Sequence, residues 1–403
     1  MILRARIVVT MDGPPIENGA VAINNGEIYA VADFDHVQRL YTGRIIDLGE
    51  QALLPGLINA HCHLDYTMMR NAICPQQSFT QWIARINALK RSLDEDDYLR
   101  AIALGFDELK KWGTTTVLNI EAFPELMVRM PAPPIRTWWF YEMIDVRQRI
   151  ATEEFVAGAF VFFKERPDWR GGFGLNPHAP YTASDELYRL VNECARITGM
   201  PLTTHIAESV EEDAMFRHGR GELYEFMRGL GRKMDDCGKR PSLARLIENG
   251  LVHEDWIVAH VNELDEHEFA LLKNNSLHIV HCPRSHRYFS HRPFQFQRLH
   301  EAGINISLGT DSLASNDSLN LFAEMQMLQT REPWLRPEQI LRTVTTNPAR
   351  ALRRSNELGK IAPGARADLI CVPFAGDVVN VLDAVVNHEE PIRWMMVDGE
   401  RAA

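Results

Sequence analysis

The chain has 403 residues, 45% of them hydrophobic and 24% charged, with a formal net charge of −11. That balance suits a globular protein with a large core and room for more than one domain. The negative charge argues against a general nucleic-acid surface, which needs clustered Lys and Arg, and no apolar run approaches the ~18 residues of a transmembrane helix, so neither nucleic acid nor membrane is an expected partner.

The opening "MILRARIVVTMDG" reads as a strand and lacks a signal peptide's long apolar run and cleavage site. Cysteines 62, 74, 194, 237, 282 and 371 form no CxxC pair, and in a chain this long they predict free thiols in a reducing cytoplasm. Over residues 1–54 short apolar runs alternate with turns, as in "GAVAINNGEIYAV", and predict antiparallel strands. The C-terminal stretch 355–403 repeats that style in "ADLICVPF" and "PIRWMMVDGE". Neither end has enough apolar material to stand alone, so the expectation is one small composite β-sandwich domain made from both.

Between them, residues 55–354 switch to buried strands followed by helices. Strands are predicted at "ALLPGLINAHCH", "TTTVLNI", "IRTWWFYEM", "GGFGLNPHAP", "LTTHIAE", "WIVAHV", "LHIVHCP" and "INISLGTDS", with helices over 184–198, 264–275 and 317–329. Eight strands alternating with helices predict an α/β fold, a closed (β/α)8 TIM barrel whose active residues sit at the C-terminal strand ends. An open doubly wound sheet is the rival, but no GxGxxG or GxxxxGK[ST] fingerprint supports it.

The strand ends carry the chemistry. His61 and His63 stand at i and i+2, on one face and about 6.6 Å apart in rise, a spacing that lets two imidazoles converge on one ion. His205 ends another strand with Glu208 three residues on, His260 ends a third, and Asp311 a fourth. Each has a plain alternative, a satisfied core histidine or a helix cap. A buried carboxylate is costly unless paired or bound to metal, and four strands ending alike favour one shared site. His61, His63, His205 and Asp311 would hold a catalytic metal, which lowers the pKa of water from 15.7 toward ~7. Glu208 would shuttle protons, and His260 would orient the attacking oxygen, with a ligand role also open.

These segments, "LLPGLINAHCHLDYT", "LTTHIAES", "IVAHVN", "HCPRSHRYF" and "LGTDSLASNDSLNLFAEM", resemble the amidohydrolase superfamily, in its mononuclear aminohydrolase branch. That branch includes S-adenosylhomocysteine/adenosine, aminodeoxyfutalosine, guanine and cytosine deaminases and triazine hydrolases. The tail "LGKIAPGARADLICV" resembles the strand that re-enters its composite β domain. The resemblance implies His61, His63, His205 and Asp311 as metal ligands, Glu208 as acid/base, His260 bonded to the attacking water, and a proton role for Asp311. It implies one divalent ion per chain, zinc before iron or manganese, and a homodimer, since similar enzymes often dimerise.

The implied reaction is hydrolytic release of ammonia from a nitrogen heterocycle, first an adenine-containing nucleoside of the aminodeoxyfutalosine, S-adenosylhomocysteine or 5'-methylthioadenosine type. The alternatives are another ring (guanine, pterin, cytosine, triazine), a cyclic amide, a two-metal hydrolase, or a non-catalytic scaffold. For substrate contacts, "GLNPHAPYT" suggests His178 at the sugar end, and "SFTQWIARINALK" suggests Trp82 against a planar ring. Arg284 and His286 follow the seventh predicted strand, and His286 stands where adenosine-type members usually show Asn. "RTWWFYEMIDVR" adds Glu142 and Arg147, to a substrate pocket or to surface pairing.

Overall fold

A computed structural model describes residues 1–146, 150 and 152–402. Arg147 lies outside the described residues. The predicted strand "ALLPGLINAHCH" is in fact two strands with different partners: Gln51–Pro55 and Leu57–His63. Pro55 lacks a backbone donor, and at Gly56 the chain passes so close to strand Thr114–Glu121 that a Cβ would lie 2.1 Å from the Thr115 side chain. The Gly56 amide instead donates to Asp368 O at 2.8 Å.

Gln51–Pro55 joins an eight-stranded mixed sheet built from both ends of the chain. It pairs parallel with Ile2–Val8 and antiparallel with Leu369–Pro373, and Ile2–Val8 also pairs antiparallel with Ile16–Asn24. Alternating apolar residues such as Leu3, Ala5, Val21, Leu53 and Leu369 form its buried face.

Leu57–His63 opens the (β/α)8 barrel, whose next strands are Thr114–Glu121, Arg136–Met143 and Gly171–Pro177, all parallel. Thr203–Ile206, Ile257–His260, His278–His281 and Asn305–Leu308 follow in parallel register. A parallel bridge Leu175↔Leu202 links the two halves, and Asp311–Ser312 returns to pair with Cys62 and His63. Ile58, Ala60, Leu118, Ile120, Trp138, Phe140, Ile257 and Val280 pack together inside the barrel. Helix Thr346–Ala351 contributes Ala349 and Ala351 to the same cluster. Of the predicted helices, two fall close to expectation as Asp185–Thr198 and Glu266–Asn274. The third begins later, at Leu321–Arg331, because Asn320 caps it by accepting from the amides of Phe322 and Ala323.

The first strand gains one residue on its neighbour between Asn59 and Cys62, a bulge. Below it Ile58 and Ala60 face the barrel core, and beyond it His61 and His63 also face inward, toward His205. The Asn59 side chain pins this bulge to the last strand: Nδ2 donates to Thr310 Oγ1 at 2.8 Å, and Oδ1 accepts from Thr310 N at 3.1 Å. Thr310 N also donates to His61 O at 3.1 Å. Asn59→Ala strips these partners from a fully buried position, so we expect a loss of about 1–3 kcal/mol, read as a lower denaturant midpoint, together with reduced metal binding.

Candidate active site

The four strand ends singled out in the sequence converge above the barrel core. Ring centroids of His61 lie 5.0 Å from His63, 4.9 Å from His205 and 5.3 Å from His260. His63 Nε2 and His205 Nε2 are 3.4 Å apart, and Asp311 Oδ1 is 3.8 Å from His61 Nε2 and 3.9 Å from His63 Nε2. His61 Nε2 is buried with no hydrogen-bond partner. Orphaned imidazole nitrogens are costly in a closed core, and these are aimed at one another and at a carboxylate. Two groups of donor atoms, His61/His205/His260 and His61/His63/Asp311, each lie within 4.8 Å of one another. The residues fit one divalent ion.

Their protonation and orientation fit as well. Burial pushes the His61 imidazole down to about 3, with His205 adding to the effect, and holds His63 and His260 well below their ordinary value. Neutral imidazoles keep the lone pair that a metal needs. His205 Nδ1 donates to His178 O at 2.7 Å, which fixes its tautomer and leaves Nε2 facing the cluster. Asp311 Oδ2 accepts from Ser285 Oγ at 2.7 Å and Ser315 Oγ at 3.2 Å, and Oδ1 accepts from Ser312 N at 2.7 Å. Four residues at these strand ends have left-handed backbone: Ala207 (φ 51°), His260 (φ 74°), Val261 (φ 52°) and Asp311 (φ 58°). Each such residue costs of order 1–3 kcal/mol, a strain typical of functional sites.

Glu208 follows at the end of the fifth strand. Its Oε1 lies 3.6 Å from His260 Nε2, and burial, reinforced by Asp311 and Glu212, pushes its carboxyl well above the usual range. The peptide that carries it is held by Glu212, whose carboxylate accepts from Ala207 N and Glu208 N at 2.9 and 3.0 Å. Asn262 Nδ2 donates to Glu208 O at 2.9 Å.

His63, His205, Glu208, His260 and Asp311 open into one cavity of about 1010 Å³. Trp82, Glu142 and His178 also line it. Trp82 stacks on Phe79 at 5.9 Å, and His178 Nδ1 is 2.7 Å from Thr182 Oγ1 with Nε2 3.9 Å from Glu142 Oε1. Arg284 and His286 do not line this cavity. The Arg284 guanidinium pairs with Asp317 and Ser318 beside a separate cavity of about 330 Å³, and His286 Nδ1 lies 3.0 Å from Asn262 Oδ1. Both follow strand seven, but local ion pairs and hydrogen bonds turn them elsewhere. Tyr66, Lys90 and Tyr181 line the cavity without having been singled out. Nothing in their sequence spacing separates them from packing residues.

Residues 52–400 match the amidohydrolase family model. The chain belongs to the amidohydrolase family. It is 31% identical over 402 residues to a 5-methylthioadenosine/S-adenosylhomocysteine deaminase of Syntrophobacter fumaroxidans, covering 93% of this chain and 84% of that one. A Pyrococcus furiosus protein of the same name is 28% identical, covering 92% and 86%. Among solved structures, an adenosine deaminase from Xanthomonas campestris with bound zinc aligns with a TM-score of 0.84 at 25% identity, over 99% of this chain and 92% of that one. Helicobacter pylori aminofutalosine deaminase aligns with a TM-score of 0.86 over 99% of both chains, at 21% identity, which speaks to the fold. No helix among the described residues is long and apolar enough to cross a membrane.

Metal should stabilise this amidohydrolase. A divalent ion at about 100 times its Kd is expected to add about 2.7 kcal/mol, seen as an upward thermal shift over chelator-treated protein. In His61→Ala the shift should collapse, because that imidazole belongs to both donor groups.

Proposed function

We propose that this chain is a metal-dependent hydrolytic deaminase that releases ammonia from an adenine-containing nucleoside. The observation that carries the reading is the pairing of Glu208 with His260 at 3.6 Å, directly beside the imidazole and carboxylate cluster and open to the same cavity. A non-catalytic barrel has no physical use for a buried carboxyl at that point, where burial pushes it well above its usual range. The names of the relatives at 31% and 28% identity support adenine nucleosides as the substrate class. The departure at His286 bears on a residue outside the cavity lining and so gives no reason to prefer another ring.

In this reading His61, His63, His205 and Asp311 hold one ion. Zinc is the ion we infer, from the imidazole-rich donor set and the zinc of the Xanthomonas relative. A bound ion supplies acidified water and charge stabilisation. Glu208 passes a proton from its carboxyl to the ring nitrogen beside the carbon under attack, and recovers one from the new hydroxyl as the carbonyl forms. His260, 3.6 Å from Glu208, orients the attacking oxygen. The Asp311 carboxylate, held by Ser285 and Ser315, takes a proton from the attacking water and passes it to the departing amine, and ammonia leaves. Trp82 lies against the planar base, and His178, steadied by Thr182, meets the sugar-side edge with Glu142 beside it.

We also infer a cytoplasmic protein, on the strength of six free cysteines, and a unit of residues 1–54 with 355–403 beside a 55–354 catalytic barrel, on the strength of the sheet they share.

Ammonia release from metal-loaded protein, measured over 5'-methylthioadenosine, S-adenosylhomocysteine, aminodeoxyfutalosine, guanine, cytosine, a pterin and a triazine, tests the reading. Turnover of an adenine nucleoside is expected, and turnover of guanine or a triazine alone would overturn the substrate class. Glu208→Gln should lower kcat by about 10²–10⁴-fold while metal content stays at the wild-type level.

A further inference from the structure

The proposed deamination does not use every polar group in its cavity. Helix Phe79–Lys90 ends with Lys90, whose Nζ donates to Tyr66 Oη at 2.5 Å. The same ammonium lies 4.8 Å from the centre of the Tyr66 ring and 5.8 Å from that of Phe123. Tyr66 in turn stacks on His63, with centroids 5.6 Å apart and planes 6° from parallel. Lys90 therefore sits one aromatic ring away from the donor cluster, beside Phe123 and Tyr98, in the cavity that Glu142 also lines.

Its charge is not balanced locally. Among the described residues no carboxylate comes within ion-pair distance of Nζ; its hydrogen bond goes to a phenol. Asp65 is fully buried, and neither of its carboxylate oxygens is hydrogen-bonded, so it does not pair with the ammonium. An ammonium has three donors and no acceptor capacity, so two N–H groups remain for whatever enters. The cavity is also large: about 1010 Å³ stands at the top of the roughly 300–1,000 Å³ spanned by small-molecule sites. A bare nucleoside leaves room for a substituent.

Resting on the deaminase reading, we propose that Lys90, presented by Tyr66, is a specificity residue that receives an anionic group on the substrate's sugar-side substituent. The preferred substrate is then an acid-bearing adenine nucleoside rather than a neutral one. The rings of Tyr66 and Phe123 flank the ammonium and limit its hydration, which strengthens a charge-assisted bond formed there. A carboxylate and a phosphate share this chemistry, and the test separates them.

The test compares three nucleosides on metal-loaded enzyme: neutral 5'-methylthioadenosine, an adenosine with a 5'-thioether ending in a carboxylate, and adenosine 5'-monophosphate. The carboxylate compound is expected to exceed the neutral one at least tenfold in kcat/KM, mainly through KM, and raised salt should narrow the gap. Preference for the monophosphate instead would assign the site to phosphate. In Lys90→Met the ratio of acidic to neutral kcat/KM should fall at least tenfold, and Lys90→Arg should restore part of it. Equal turnover of neutral and acidic compounds by wild type overturns the proposal. So does an equal loss for both in Lys90→Met, which would make Lys90 a packing residue for Tyr66. Calorimetric binding of the same compounds separates this failure from that of the deaminase reading. If none is deaminated yet the acidic ones bind at least tenfold tighter, dependent on Lys90, the anion site stands and the reaction does not; if binding shows no such preference, both fall.

Discussion

The site depends on the way the last barrel strand locks onto a bulge in the first. One extra residue between Asn59 and Cys62 changes which side chains face inward. Without it, a strand that sends Ile58 and Ala60 into the barrel core would not also send His61 and His63 there, since side chains alternate strictly along a regular strand. The Asn59 amide holds the irregularity by bonding Thr310 through both its donor and its acceptor. The same contact places Asp311, one residue on, beside the two histidines. Gly309 allows the approach, because a Cβ there would lie 2.7 Å from His61 Cβ. Barrel closure and donor-set assembly are thus a single event.

Around that closure the protein concentrates features that oppose stability. Four imidazoles and two carboxyls are buried together, and several strand ends adopt left-handed backbone. The arrangement is tolerable because each group is held from outside: Ser285 and Ser315 on Asp311, the His178 carbonyl on His205, and the Glu212 carboxylate on the peptide of Glu208. Burial acts oppositely on the two kinds of side chain. It keeps the imidazoles neutral and able to donate lone pairs, and pushes the Glu208 carboxyl well above its usual range. One dry environment prepares metal-binding bases and a proton donor at once.

Legibility in the sequence followed the same division. Residues at strand ends could be found because an apolar run fixes where a strand stops, and polar groups there stand out against it. Of the residues on the helices and loops above the barrel, Trp82 could be found and others could not. Arg284 and His286 looked like substrate contacts because they follow a strand, yet Asp317 and Asn262 hold them elsewhere. Nothing in the local sequence marks Lys90, and only the fold lays it over Tyr66 and, through that ring, beside His63. The long predicted strand across Gly56 failed for a related reason: an unbroken apolar run does not reveal that its halves pair with different sheets.

The sequence by itself determined the alternation of strands and helices, the histidines and acids that end those strands, and the family they belong to. These are local properties, set by hydrophobic period and by the cost of polar groups at buried ends. The tertiary structure alone decided the bulge that turns the first strand's histidines inward, the distances that make separate strand ends one donor set, and which side chains line the cavity. Those depend on contacts between residues far apart in the chain, such as Asn59 with Thr310, where no local periodicity carries the information.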